Sequence, residues 1–169
     1  MEEVLTTIVG TRYALYGDSQ CTNAPSFKTT KLAHVICAKT SEEFLIGGCG
    51  YLTEFHFFAR LLTEYGLENI WKLHLTEHWP PKIMKGADTD LLVLTRDKKL
   101  YLFDKTLVPM DINQDTYAMG SGAEYATSAL ALGKTAAEAV EFAAQHDPYT
   151  KGPVHELKFP RRKKDAEVS

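Results

Sequence analysis

At residues 6–19 the sequence reads TTIVGTRYALYGDS, in which the runs TTIV and YALY are rich in β-branched and aromatic residues. Such runs on either side of a short segment predict a β-hairpin, here with Gly10-Thr11-Arg12 as the connection. The second strand then ends at Gly17-Asp18, beside the threonines that begin the first strand. Because Lys31 follows soon afterwards, a hydroxyl, a carboxylate and an amine are predicted to meet at one end of a sheet.

Length and composition predict one domain without a membrane span. A chain of 169 residues can bury one substantial core and is short for two. No apolar run approaches the length of about 20 residues that crosses a bilayer. The net charge of −3 gives no electrostatic reason to expect nucleic acid as a partner. The start is acidic and unlike a secretory signal, and the three cysteines are odd in number, so we expect a cytoplasmic protein with reduced thiols.

The domain is predicted to span residues 1–160, followed by a basic C-terminal tail at 161–169. The tail begins with Arg161-Arg162-Lys163-Lys164. A run of like charges of this kind is typical of a solvated segment, which we favour over a binding patch.

Hydrophobic periodicity predicts strands, then two helices, then strands, two more helices and a last strand. The capping-box pair Thr135 and Glu138 marks the start of the final helix. Strand runs kept apart from helix runs favour a layered α+β fold, because a parallel doubly wound sheet needs regular β-α alternation. After the first hairpin, the predicted strands cover 33–38, 43–47, 91–95, 100–103, 116–119 and 153–159, and the predicted helices cover 52–66, 67–78, 123–132 and 136–144.

Several short motifs occur in an order that resembles the proteasome β-subunit and HslV-like family of N-terminal nucleophile (Ntn) hydrolases. The resemblance extends over nearly the whole chain and implies a four-layer αββα sandwich that acts as a threonine peptidase without a cofactor. The motifs are Thr6-Thr7-Ile8-Val9, Gly17-Asp18, Lys31, Gly47-Gly48-Cys49-Gly50 before a long helix, the sequence YAMGSGAEYA at 117–126, and Asp147-Pro148-Tyr149-Thr150-Lys151-Gly152.

The resemblance also implies a role for each candidate site residue. Thr6 would be the nucleophile, activated by its own α-amino group, whose ordinary pKa of about 7.7–8.0 lies near neutrality. Lys31 would keep that amine neutral and Asp18 would hold the lysine. The remaining residues would act through hydrogen bonds: Ser121 and Asp147 would orient the amine, and the backbone N–H of Gly47 or Gly48 would stabilise the oxyanion.

Two features of the sequence separate it from a mature member of that family. Residues 1–5 precede Thr6, so the mechanism requires their removal. Leu5 stands where self-processing members usually carry a glycine, which permits a tight turn. An alternative is therefore an unprocessed, catalytically silent subunit with a structural role.

The resemblance further implies partners. Related subunits form homo-oligomeric rings, receive peptides or unfolded proteins as substrates, and are fed by an ATPase unfoldase. Phe55, Phe57, Phe58 and Leu62 span more than one face of their predicted helix, so either a neighbouring subunit or the domain's own sheet is expected to cover them.

A second, more remote alternative is a zinc peptidase. His74, Glu77 and His78 match the pattern H-x-x-E-H, in which two histidines on one helical face bind zinc and the glutamate acts as a base. Pro80 and Pro81 end the predicted helix directly afterwards, and the sequence nominates no third ligand.

Overall fold

The computed structural model describes residues 3–4, 6–19, 31–73, 89–104 and 108–161. It confirms the predicted order of elements and adds two short strands, β1 and β8. In chain order the elements are β1 (Glu3–Val4), β2 (Thr7–Thr11), β3 (Ala14–Gly17), β4 (Leu32–Ile36), β5 (Glu43–Tyr51), α1 (Leu52–Leu73), β6 (Asp90–Thr95), β7 (Leu100–Phe103), β8 (Pro109–Asp111), β9 (Thr116–Gly120), α2 (Ala123–Ala131), α3 (Ala136–His146) and β10 (His155–Lys158).

The strands form two sheets in which every described pairing is antiparallel. One sheet has the order β1-β5-β6-β7-β8, with β4 also paired to β5, and the other has the order β10-β3-β2-β9. Helix α1 covers the outer face of the first sheet, and α2 and α3 cover the outer face of the second. The prediction of a four-layer αββα sandwich is confirmed.

Three apolar clusters hold these layers together. Between the sheets, Ile8 and Leu15 meet Leu45 and Leu92, all with no exposed surface. Burying a side chain of this size contributes about 1.5–3 kcal/mol, which makes the inter-sheet layer a major source of stability. In another cluster, Val9 of β2 packs against the alanines of α2 and α3, whose small side chains let these helices lie close to the sheet.

The domain's own sheet covers the aromatic face of α1. Phe55, Phe58 and Leu62 are buried against the first sheet, where the Phe58 ring lies 4.9 Å from the Phe103 ring, and Phe57 packs at the edge of the same cluster. Of the two expectations for these side chains, the structure supports the one that needs no neighbouring subunit.

The first hairpin forms where the sequence predicts it, but its turn lies further along the chain. Gly10 and Thr11 belong to β2, so the connection is Arg12-Tyr13. The Thr11 hydroxyl accepts hydrogen bonds from the backbone N–H groups of Tyr13 and Ala14, which gives the turn its own polar partner in place of the predicted glycine.

Helix α1 has a break at Gly66, where the predicted helices 52–66 and 67–78 meet. Gly66 has φ 69° and ψ 171°, which separates two helical segments, and the second continues to Leu73. The capping box at the start of α3 is confirmed, since the Thr135 hydroxyl accepts from the Glu138 N–H and the Glu138 carboxylate accepts from the Thr135 N–H. None of the helices described is long and apolar enough to span a membrane.

Candidate active site

Thr6 lies at the point where the chain crosses from one sheet to the other. Before it, β1 pairs with β5 in the six-stranded sheet, with Val4 opposite Gly50. After it, β2 pairs with β3 and β9 in the four-stranded sheet. Thr6 has no exposed surface in this arrangement. The predicted nucleophile is therefore enclosed between the sheets while the preceding segment is attached.

Asp18 is the centre of the polar contacts around Thr6. Its carboxylate accepts hydrogen bonds from the Thr6 hydroxyl, from the Thr7 N–H at 3.0 Å and from the Lys151 N–H at 3.1 Å. The Lys31 ammonium lies 3.2 and 3.3 Å from its two oxygens. Asp18 and Lys31 are each 2% exposed, and a buried charge requires such partners. The structure thus brings Thr6, Asp18 and Lys31 together.

Ser121 and Asp147 form a second polar group, next to the Thr6 carbonyl. The Ser121 hydroxyl lies 2.6 Å from the Asp147 carboxylate and 3.4 Å from the Thr6 carbonyl oxygen. The single proton of this hydroxyl is used by the short bond to Asp147. Burial alone would raise the pKa of Asp147, but hydrogen bonds from Ser121, Thr150 and the Tyr149 N–H hold it below the ordinary value of 3.8.

Two glycines beside Ser121 make room for the threonine pair. Gly120 has φ +95°, and a Cβ atom there would overlap the carbonyl oxygen of Thr6. A Cβ at Gly122 would overlap the Thr7 hydroxyl. The connection between β9 and α2 is thus a surface that receives the backbone of Thr6 and the side chain of Thr7.

The glycine run places its members in different environments. Gly47 lies in the middle of the sheet, paired with Leu32 and Leu92. The Gly48 N–H donates to the Lys31 carbonyl at 3.0 Å, so the sheet uses this donor in the present state. Gly50, at the β1 contact, has φ 112°. The predicted oxyanion donors therefore lie on the strand beside the Thr6 crossing, and the N–H of Gly48 is already bonded within the sheet.

Sequence reasoning missed the part that residues 150–151 take in the site. Thr150 is fully buried, and its hydroxyl lies 2.6 Å from the Asp147 carboxylate and 2.6 Å from the Thr7 hydroxyl. Lys151 supplies the backbone donor to Asp18. The Asp-x-x-Thr-x-Gly motif at 147–152 contains the signal, because it spaces a second hydroxyl three residues after Asp147.

Cys49 is a buried thiol next to these groups. Burial raises its pKa far above the ordinary value, although the positive charge of Lys31 acts in the opposite direction. A thiol that stays protonated is a poor nucleophile. Cys49 is therefore not a second candidate for the nucleophile at neutral pH.

The described residues contain no group of three or more metal-ligating side chains. His74, Glu77 and His78 lie outside the described residues, so the zinc alternative is neither supported nor opposed by the geometry. Cys21 and residues 162–169 of the basic tail also lie outside them.

Comparisons with known proteins identify the class of fold. No family model matches the chain, and no curated protein matches it. Among solved structures, the chain is similar to eukaryotic HslV from Trypanosoma brucei, with a TM-score of 0.61 and 19% identity over 91% of this chain and 100% of that chain. It is also similar to Anbu (ancestral beta-subunit) from Yersinia bercovieri, with a TM-score of 0.62 and 11% identity over 92% of this chain and 82% of that one.

A third similar structure, Thiobacillus denitrificans BPH, has a TM-score of 0.61 and 15% identity over 94% of this chain and 98% of that chain. At identities this low, the structural similarity establishes the fold alone, and the chemistry has to be argued from the residues of the site. The chain has the proteasome-like Ntn-hydrolase fold.

Proposed function

We propose that this chain is a threonine peptidase subunit of a proteasome-like assembly, with Thr6 as the nucleophile once residues 1–5 are removed. The contact between the Thr6 hydroxyl and the buried Asp18–Lys31 ion pair carries the proposal. A buried ion pair is costly to desolvate, and replacing it with apolar residues is often neutral or stabilising. Its presence beside a buried hydroxyl is therefore better explained by chemistry than by stability.

In the proposed mechanism, cleavage before Thr6 converts its amide nitrogen into an amine that can accept the proton of the Thr6 hydroxyl. The positive charge of Lys31, fixed by Asp18, favours the neutral form of that amine. Ser121 donates its one hydroxyl hydrogen bond to the Asp147 carboxylate, so its oxygen is left to accept a hydrogen bond from the new amine. The hydroxyl oxygen then attacks a peptide carbonyl. The peptide C–N bond breaks as the leaving amine takes the proton back from the Thr6 ammonium, and an ester to Thr6 remains. Water hydrolyses this ester, which releases the second product and restores the Thr6 hydroxyl.

The attached segment explains why the full chain is expected to be inert. The nitrogen of Thr6 is an amide without basicity, and β1 occupies the edge of β5 at Gly50 and Tyr51. Removal of the segment would expose this edge beside Thr6, where an extended peptide can pair as an added strand. Peptides or unfolded proteins in the cytoplasm are the proposed substrates, delivered to a homo-oligomeric ring by an ATPase unfoldase.

The unprocessed, structural subunit is the second candidate. It is favoured by the complete burial of Thr6 and by the pairing of residues 3–4 with β5, which together form a closed arrangement. The structural role would need neither the Lys31–Asp18 pair nor the Ser121–Asp147 contact, and we place it second for that reason.

Activity of a chain made to begin at Thr6 separates the two candidates. We expect this chain to hydrolyse fluorogenic peptides and the full chain to be nearly inert. Thr6→Ala should abolish turnover through loss of the nucleophile, Lys31→Ala through loss of the charge that keeps the amine neutral, and Asp18→Asn should lower it less. A folded, assembled Thr6-starting chain that cleaves nothing, or a Thr6→Ala variant as active as its parent, would favour the structural subunit.

A further inference from the structure

We infer that Thr7 is a positioning residue whose hydroxyl, acting through Thr150, fixes the Asp147 carboxylate and the loop that also binds Asp18. The inference rests on the proposed function for its catalytic meaning. Its geometric part, the coupling of Thr7 to Asp147, concerns the full chain and is measurable without turnover.

The direction of the hydrogen bonds follows from the number of protons available. Asp147 is held ionised, so it accepts from the Thr150 hydroxyl, 2.6 Å away. This bond uses the only proton of Thr150. The hydroxyl oxygens of Thr7 and Thr150 lie 2.6 Å apart, so Thr7 must be the donor of the hydrogen bond between them. A hydroxyl that accepts a hydrogen bond becomes a stronger donor, so Thr7 strengthens the bond from Thr150 to Asp147.

The position of Thr7 in β2 argues against a packing role alone. Thr7 lies two residues before Val9 and so shares the face of β2 that packs on α2 and α3. Valine has nearly the same shape as threonine and would fill this site equally well. A buried hydroxyl costs free energy unless it is hydrogen-bonded, so packing alone would favour valine. The Gly122 position, where a Cβ would overlap the Thr7 hydroxyl, leaves space for that oxygen.

Thr7 also touches the first carboxylate of the site. Its backbone N–H donates to Asp18 at 3.0 Å, and the residue after Thr150 donates its own N–H to the other oxygen of Asp18 at 3.1 Å. One residue thus contacts Asp18 directly and Asp147 through one intermediary. Displacing Thr150 would move the backbone of Lys151 and with it one of the groups that orient Asp18.

The test is the titration of the Asp147 carboxyl carbon by NMR in the full chain. Thr7→Val removes the hydroxyl and keeps the shape, and Thr7→Ser keeps the hydroxyl. We expect Thr7→Val to raise the midpoint of the Asp147 titration by at least about 0.3 pH unit, and Thr7→Ser to leave this midpoint unchanged. Thr150→Val, which removes the direct donor, should raise it by about 1 pH unit.

Other groups near Asp147 bear on this titration. Lys31 acts on Asp147 through its charge, and Ser121 and the Tyr149 N–H donate to it. His146, the preceding residue, has its ring against Tyr125 and Phe142. The matched control is Thr89→Val, which removes a buried hydroxyl that contacts Glu54 and not Asp147. It should leave the Asp147 midpoint where it is.

In the Thr6-starting chain, Thr7→Val should lower kcat about threefold to tenfold with KM unchanged, and Thr7→Ser should restore kcat. An Asp147 midpoint that does not move in Thr7→Val, or that moves equally in Thr89→Val, overturns the inference. A kcat that Thr7→Ser fails to restore overturns its catalytic part. A shifted midpoint together with an inert parent chain upholds the coupling and overturns the peptidase proposal, so the two failures are distinct.

Discussion

Replacing Lys31 with methionine is expected to destabilise the full chain by about 3 kcal/mol, because Asp18 then keeps a buried charge without its cation. Breaking a buried ion pair by removing one partner costs about 3–5 kcal/mol. Asp18 retains the Thr6 hydroxyl and the N–H groups of Thr7 and Lys151 as donors, which places the expected cost at the lower end.

Urea unfolding followed by circular dichroism measures this cost. With an m value of about 2 kcal/mol/M, the loss corresponds to a decrease in midpoint of about 1.5 M. Lys99→Met is the matched control, because Lys99 is half exposed and forms its 3.5 Å pair with Asp97 at the surface. Its cost should stay below about 1 kcal/mol.

A double variant, Asp18→Asn with Lys31→Met, tests the stated cause. It removes both charges, so it should recover a large part of the stability that Lys31→Met loses. If Lys31→Met shifts the midpoint no more than Lys99→Met does, the ion pair is not desolvated as described and the reasoning is refuted.

Three further predictions concern the loop, the pH dependence and the core. Backbone strain at φ +95° alone costs about 1–3 kcal/mol, and an alanine Cβ at Gly120 would also overlap the Thr6 carbonyl. Gly120→Ala should therefore lower the free energy of unfolding in urea by more than this strain cost, and unchanged stability would contradict the prediction. The lowered pKa of Asp147 contributes stability that is full above its ordinary value of 3.8 and is lost as the pH falls below it. Asp147→Asn should therefore flatten the acid side of the stability profile, and an unaltered slope would argue against the bonds described. Phe58→Ala should cost about 3–5 kcal/mol, whereas a cost below about 1 kcal/mol would mean that the α1 layer collapses around the cavity.

The order of strands and helices was predictable because it depends on local periodicity and on residues with a fixed local role. Gly66 breaks α1, and Thr135 caps α3, for reasons contained within a few neighbouring positions. The turn of the first hairpin was placed too early, because the side chain of Thr11 supplies hydrogen bonds that the glycine pattern does not reveal.

Contacts between distant positions could not be predicted from the residues that make them. Thr7 and Thr150 are 143 residues apart, and nothing in either segment indicates the other. Strand β1 is two residues long, too short for any alternation, and exists through its pairing with β5. Sequence reasoning did nominate Asp18, Lys31, Ser121 and Asp147 as partners of Thr6, through their order in the family motifs, and their contacts come from the fold.

The short pairing of β1 with β5 has a consequence for the timing of the proposed cleavage. While the chain is intact, the tether holds Glu3 and Val4 beside Tyr51 and Gly50 at an effective concentration that can reach the millimolar range. Two paired residues offer a few backbone hydrogen bonds at about 1 kcal/mol each, which is far too little to retain a free peptide. Once the bond before Thr6 is cut, the severed segment diffuses away and dilution prevents its return. Cleavage at this position would therefore be irreversible for each subunit. The cause would be the loss of the covalent link, and the strength of the β1–β5 contacts would not matter.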